Sequence, residues 1–147
     1  MVVVTIIALL SAVAIPYIVH AKQVSLASVL ANDLRIQAQA LQNYIQQTAT
    51  YPADSATQEI PIGMEDYFTS RWLERTPIGG YYNYEYEKTA QGKVYKVGIG
   101  IREKGEVLVS TDLNLLTTID QRIDDGDLTT GLFLLGPGNS PFYVIEQ

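Results

Sequence analysis

The first nineteen residues contain no charged side chain, and this feature constrains the fold more than any other. The segment from Met1 to Val19 has the sequence MVVVTIIALLSAVAIPYIV. As an α-helix rising about 1.5 Å per residue, it would be roughly 28 Å long, which matches the hydrocarbon core of a bilayer. We therefore predict a transmembrane anchor that contacts membrane lipid through residues 1–19.

Two other interpretations of this segment stay open. A cleavable secretory signal is one, because Val19-His20-Ala21 resembles a small-x-small cleavage site. Against it, no basic residue precedes the apolar run, and the run is long for a signal. A buried helix of a soluble protein is the other, but such helices normally carry a polar stripe and this segment has none. The anchor is therefore favoured over both the secretory signal and the buried helix.

The helical pattern continues beyond the anchor, where apolar residues recur at spacings of three and four. These positions are Ala27, Leu30, Ala31, Leu34, Ala38, Leu41 and Ile45. The polar residues between them, including Asp33 and Gln37, are expected on a solvated or subunit-facing side. Tyr51-Pro52 predicts the helix end near Thr48 to Thr50. Anchor and stripe would then form one helix on the order of 70 Å long.

Strand signals dominate the middle of the chain. Alternating aromatic or apolar and polar residues predict three strands, Tyr81–Lys88, Lys93–Arg102 and Glu106–Ser110, paired as an antiparallel meander. The apolar run Phe142–Ile145 suits an added strand at the C-terminus. The predicted fold class is α+β, a long N-terminal helix packed on a small antiparallel sheet of three to four strands.

Two further segments carry local signals. Residues 51–80 are rich in proline and glycine and indicate a long loop with a helical turn around Met64–Leu73. Trp72 and its aromatic neighbours in this loop are expected to pack against the long helix. Thr111-Asp112 is a helix start before a short apolar helical face.

These signals predict one anchor and one head. The anchor is 1–21 and the head is 22–147, divided into an amphipathic helix (22–50), a loop (51–80), an antiparallel sheet (81–110) and a C-terminal region (111–147).

Composition excludes several functions. The net charge is −6 and no cluster of lysine and arginine forms a phosphate-binding face, so no nucleic-acid partner is expected. The absence of cysteine excludes a thiolate nucleophile. The single histidine, His20, follows the apolar run, where it marks a membrane interface more often than a catalytic base. Serines such as Ser70 lack a paired base. We expect no enzyme activity, no catalytic residues and no small-molecule substrate.

An acidic segment near the C-terminus offers the one set of metal-ligand residues. Asp120, Asp124, Asp125 and Asp127 carry hard oxygen donors of the kind calcium prefers, although their spacing differs from an EF-hand loop. Asp124, Asp125 and Asp127 are the candidate calcium ligands. The alternative is a plain turn, because Asp and Gly together form turns and Gly126 can take positive φ. Apart from this calcium alternative, no cofactor is expected.

The residues from Val2 to Pro16, VVVTIIALLSAVAIP, resemble the N-terminal segment of type IV pilin-like proteins, especially the pseudopilins of type II secretion. Tyr51-Pro52 is similar to the end of the family's helix. The stretch Thr76–Tyr84, TPIGGYYNY, is similar to the Pro-x-Gly-x-x-Tyr-x-Tyr stretch that opens the pseudopilin sheet. The C-terminal third, from Asp112, is covered only by its general layout.

This resemblance implies a pilin-like fold and a mechanical role. Subunits of this kind wait in the inner membrane as single-pass proteins, with the head in the periplasm or extracellular. An ATP-driven platform extracts them, and their N-terminal helices pack into a filament core, as homo-oligomers or with other pilin-like subunits.

The resemblance also implies a segment ahead of Val2. In the family, a Phe-Thr-Leu-x-Glu-Leu start exposed by a prepilin peptidase precedes this position. We expect Met1 to be an internal methionine of a longer precursor, and the alternative is a truncated copy that could not be processed normally. The alternative function is a membrane-tethered or secreted extracytoplasmic binding domain, with ligand contacts on Tyr81–Tyr86 or the Asp124 loop.

Overall fold

The computed structural model describes residues 2–147 as one long helix followed by a mixed head. The main elements are α1 (Val2–Thr48), β1 (Tyr81–Ala90), β2 (Lys93–Arg102), α2 (Leu113–Ile123), β3 (Phe133–Leu135) and β4 (Pro141–Glu146). Two short 3-10 turns cover Ser70–Leu73 and Pro137–Asn139. This arrangement confirms the predicted α+β fold class. The expectation about Met1 lies outside the described residues.

The C-terminal half of α1 forms the centre of the head and ends at Thr48, where the Tyr51-Pro52 signal predicts. Its buried face comprises Ala27, Leu30, Ala31, Leu34, Ala38 and Leu41. This confirms the apolar stripe. The expectation that Asp33 and Gln37 lie on a solvated or subunit-facing side is wrong, because both side chains are buried. The head covers more of the helix than one narrow stripe.

The sheet has four antiparallel strands in the order β1-β2-β4-β3. Gln91 and Gly92 both have positive φ between β1 and β2, as a two-residue hairpin turn of the type I′ kind requires. The C-terminal strand β4 then pairs with the free edge of β2, and Ile99 lies opposite Tyr143. The predicted C-terminal strand is therefore confirmed, and it occupies the inside of the sheet.

The prediction of a strand at Glu106–Ser110 is wrong. This segment forms only isolated bridges, between Lys104 and Val107 and between Gly79 and Val109. Both edges of β2 are already paired, one with β1 and the other with β4. Leu108 accordingly remains 64% exposed, so the segment lacks the packing that would make it a strand of this sheet.

The core lies between α1, α2 and one face of the sheet. The sheet contributes Tyr82, Tyr84, Val97, Ile99 and Ile101, and α2 contributes Leu115, Leu116 and Ile119. From the loop, the ring of Phe68 stacks on Trp72 at 4.1 Å between centroids, and Trp72 stacks on Tyr82 at 5.6 Å. Tyr67 contacts Tyr44 of α1 at 5.4 Å between ring centroids, and Phe68 and Trp72 share one core cluster with the buried face of α1. The prediction that these aromatic residues pack the loop against the long helix is therefore confirmed.

A polar contact fastens the loop to α1. The guanidinium of Arg71 donates from Nε and Nη2 to Oδ2 of Asp33, at 3.0 and 2.8 Å. The hydroxyl of Tyr82 donates to the same oxygen at 3.2 Å, and Nη1 of Arg71 pairs with Glu74. These donors explain how an acidic side chain is accommodated on the buried side of α1, since a buried charge needs partners.

Candidate functional site

The N-terminal half of α1 presents an apolar surface that the described part of the head does not cover. Large side chains are well exposed along it, including Leu9 at 65% and Tyr17 at 74%. Among the side chains that the structure describes on α1, burial begins at Gln23 and becomes complete at Ala27, where the head starts to cover the helix. We call residues 2–22 the projecting half of α1. Its exposed apolar surface is much larger than single soluble chains usually carry.

By length and composition, α1 contains a stretch able to cross a membrane. A buried core helix of a soluble protein would pass the same test, but the apolar stretch of α1 is not buried in the head. A signal sequence would pass it as well. Here, however, the apolar stretch continues without a break into the half of the helix that packs in the core.

The tyrosine-rich strand β1 turns part of its aromatic residues into the core. Tyr82 and Tyr84 are fully buried, and burial raises the pKa of both phenols. Glu85 is also buried and pairs with Arg102, which reaches it from β2 through Nε at 2.7 Å. This pair was missed at the sequence level, because the two residues are neighbours only through strand pairing. Ordinary sheet packing, as predicted, accounts for this strand.

The acidic segment forms a closed loop between α2 and β3. The helix ends at Ile123, and the backbone N–H of Asp124 still donates to the carbonyl oxygen of Asp120 at 2.6 Å. The loop then folds back, so that the N–H of Leu132 donates to Oδ2 of Asp124. Gly131 has φ of +78°, and any side chain there would collide with the Asp124 carboxylate. A glycine is therefore required where the chain returns to Asp124.

Groups within the loop donate hydrogen bonds to the carboxylates of Asp125 and Asp127. Asp125 accepts hydrogen bonds from the N–H of Asp127 at 2.9 Å and from the hydroxyl of Thr130 at 3.1 Å. Asp127 accepts two from Thr129, through the hydroxyl and the N–H. These bonds lower the pKa of Asp127, because they favour its charged form. The loop is thus shaped by its own acidic side chains.

Three carboxylates converge at the start of this loop. Oxygens of Asp120, Asp124 and Asp125 lie within 4.8 Å of one another. Two of the three predicted calcium candidates are thus brought together. Asp127 is not in this group, and Asp120, which the sequence prediction left out of the ligands, replaces it. The available signal was the i, i+4 spacing of Asp120 and Asp124 at a helix end.

Asp120 is the unusual member of the group. Its side chain is fully buried, and neither carboxylate oxygen has a hydrogen-bond partner among residues 2–147. Burial raises the pKa of Asp120 to about 6, and the charges of Asp125 and Asp124 act in the same direction. The N–H of Gly126 offsets part of this rise without reaching hydrogen-bond geometry.

No protein-family model matches the sequence, and comparisons with curated proteins and with solved structures find no similar protein.

Proposed function

We propose that this chain is a structural subunit of a pilus-like filament, anchored in the inner membrane by the projecting half of α1 and carrying its head outside the cytoplasm. The filament would be a type II secretion pseudopilus or a type IV pilus. One observation carries the proposal: a single unbroken helix is buried in the head at one end, and at the other end its exposed large side chains are almost all apolar.

The projecting half suits two environments in succession. An all-round apolar helix is stable in lipid, and it is equally stable inside a bundle of similar helices. Lys22, the first charged residue, would lie at the level of the lipid headgroups while the subunit waits in the membrane.

Pro16 supports packing with neighbouring helices. It lies within α1 and has no N–H to donate to the carbonyl oxygen of Ala12. Membrane helices tolerate such a proline when neighbouring helices or water satisfy the freed carbonyl. A filament core of parallel subunits would supply such neighbours.

The function is proposed as mechanical, without an enzymatic step. The alternative, a membrane-tethered binding domain, is less well supported, because Tyr82 and Tyr84 of its candidate surface Tyr81–Tyr86 are buried. The acidic loop is its other candidate surface.

Three proteins produced in cells test the proposal: the full chain, a variant lacking residues 1–21, and a variant whose residues 1–21 are replaced by an unrelated leucine- and alanine-rich transmembrane helix. We expect the full chain to fractionate with membranes and to form multimers on chemical cross-linking. The shortened variant should be a soluble monomer, with a head shown to be folded by circular dichroism.

The replaced helix separates the two functions. A filament subunit with a foreign anchor should stay in the membrane but lose the cross-linked multimers, because the contacts of its own helix are gone. A tethered binding domain would behave identically with either anchor. Multimers that persist with the foreign helix, or a full chain found in the soluble fraction, would contradict the proposed function.

A further inference from the structure

We propose that the end of the head nearest the projecting half of α1 rests on the lipid headgroup layer, and that Leu108 and Leu113 enter this layer. The contact rests on the membrane anchoring in the proposed function, and it adds a second lipid contact that the head itself makes. It does not depend on filament assembly.

The direction of α2 places its first residues at the anchor end of the head. The carboxylate of Asp112, the N-cap of α2, accepts a hydrogen bond from Gln23 at 3.0 Å. Near the other end of α2, Arg35 donates to the carbonyl oxygen of Arg122 at 2.6 Å. The two helices therefore run side by side in the same direction, and α2 begins beside the residue that follows the projecting half.

The length of the projecting half sets the height of this end above the bilayer. As a helix, residues 2–22 are roughly 31 Å long, which is close to the hydrocarbon core of about 30 Å. The headgroup region adds about 5–7 Å on each side of that core. With the projecting half in lipid, Gln23 and the start of α2 lie at the level of the headgroups.

The sheet turns its open end to the same side. The hydroxyl of Tyr82 reaches Asp33, whereas the ring of Tyr86 packs on Tyr51, beyond the end of α1, at 5.5 Å between centroids. Strand β1 therefore runs away from the anchor, and β2 returns towards it. The segment 103–112, which joins β2 to α2, consequently begins and ends at the anchor end of the head.

Two large apolar side chains are exposed on this part of the chain. Leu108 is 64% exposed and Leu113 is 61% exposed. The backbone around Leu108 is ordered, because Val109 bridges to Gly79 and the N–H of Ser110 donates to a carbonyl oxygen at 2.8 Å. Single exposed leucines are common on soluble proteins, so exposure alone indicates nothing. Their position beside an apolar helix that is able to cross a membrane is what favours lipid.

The charges of this segment favour an apolar contact over an electrostatic one. Residues 103–112 carry three acidic side chains, Glu103, Glu106 and Asp112, and one basic side chain, Lys104. Segments that bind anionic lipids carry an excess of basic residues. A neutral, zwitterionic membrane should therefore be sufficient, and salt should not weaken the contact, because screening acts on charges.

The chain contains no cysteine, so a single introduced cysteine can carry a fluorophore at a chosen site. The test uses the full chain in phosphatidylcholine vesicles, with the label on Leu108→Cys or on Leu113→Cys. The quencher is a lipid with a nitroxide near the headgroup. We expect about twofold quenching of both labels, equal at low and high salt, because apolar groups at an interface lie about 5–10 Å deep at the boundary of headgroups and acyl chains.

Two exposed apolar residues far from the anchor provide matched controls. Val94 is 64% exposed and lies beside the turn between β1 and β2, at the far end of the sheet. Ile62 is 83% exposed, and the adjacent Gly63 lies against Tyr44, near the C-terminal end of α1. Labels on Val94→Cys and Ile62→Cys should not be quenched. Quenching of these labels to the same extent would overturn the proposal, because the attraction of the dye to lipid would then explain the result.

A label on Leu10→Cys separates this contact from the anchor. If the Leu10 label is quenched while the Leu108 and Leu113 labels are not, the head does not touch the lipid, although the anchor stands. If none of the three labels is quenched, both the anchor and the head contact are wrong. Circular dichroism verifies that each labelled variant is folded, and either of the two head positions is sufficient for the test.

Discussion

Asp33 shows how one residue joins two parts of the chain. It lies on α1, yet its carboxylate receives the Arg71 guanidinium from the loop and the Tyr82 hydroxyl from β1. The side chain of Asp33 is 12% exposed and that of Arg71 is 35% exposed. The pair is therefore only partly screened by water, and breaking it should cost more than breaking a surface ion pair.

Arg71→Leu tests this contact, because leucine keeps part of the apolar stem while removing the charge. The carboxylate of Asp33 would remain nearly buried with the Tyr82 hydroxyl as its one donor. We expect the free energy of unfolding to fall by about 1–2 kcal/mol, a range reduced for the exposure of Arg71. Urea unfolding of the full chain in micelles measures this change.

Arg75→Leu is the matched control, since Arg75 is an exposed arginine on the same loop. It should change stability by less than about 0.5 kcal/mol. A double variant, Arg71→Leu with Asp33→Asn, should recover part of the loss, because the uncompensated charge is gone. Equal stabilities for the Arg71 and Arg75 variants would show that the contact contributes nothing.

At the scale of elements, α2 depends on its first residue. Oδ1 of Asp112 accepts hydrogen bonds from the N–H of Asn114 at 3.0 Å and of Leu115 at 3.4 Å, and Oδ2 accepts one from Gln23 of α1. The cap thus starts α2 and ties it to α1. Asp112→Ala should lower the free energy of unfolding by about 1 kcal/mol, measured by urea unfolding.

Asp112→Asn separates capping from charge, because asparagine caps about as well as aspartate. It should retain most of the stability that Asp112→Ala loses. If both variants lose the same amount, the negative charge matters and the cap does not.

The elements that could be predicted from sequence are those with local causes. Lys93–Arg102 has the predicted bounds, because its apolar residues and the Gln91-Gly92 turn act within one hairpin. Glu106–Ser110 has the same kind of pattern, but strand formation also needs a free edge, and β4 arrives from far along the chain to take it. The three-residue strand β3 escaped prediction for the same reason, since its strand partner is β4.

The candidate site likewise contains residues that a local sequence signal predicted and one residue that it did not. Asp124 and Asp125 stood out as acids beside a turn, which is a local signal. Asp120 became significant only through burial, and its burial depends on the packing of α2 against α1. A carboxylate at the boundary between the apolar and polar faces of a helix can face either the core or the solvent. Sequence spacing alone does not show which of the two it faces.

At the scale of the whole molecule, α1 passes from the exposed projecting half to the half that is buried in the head. We expect the projecting half to decide whether the protein fractionates with the membrane. Leu10 lies near the middle of the projecting half and is exposed. Placing a lysine at the centre of a membrane helix costs about 2.5–3.5 kcal/mol on insertion scales, so Leu10→Lys should shift the protein from the membrane to the soluble or degraded fraction. Val29→Lys is the matched control, because Val29 is an exposed residue of the same helix beyond the projecting half. It should fractionate like the wild type, and a Leu10→Lys variant that did so as well would mean that the projecting half does not lie in lipid.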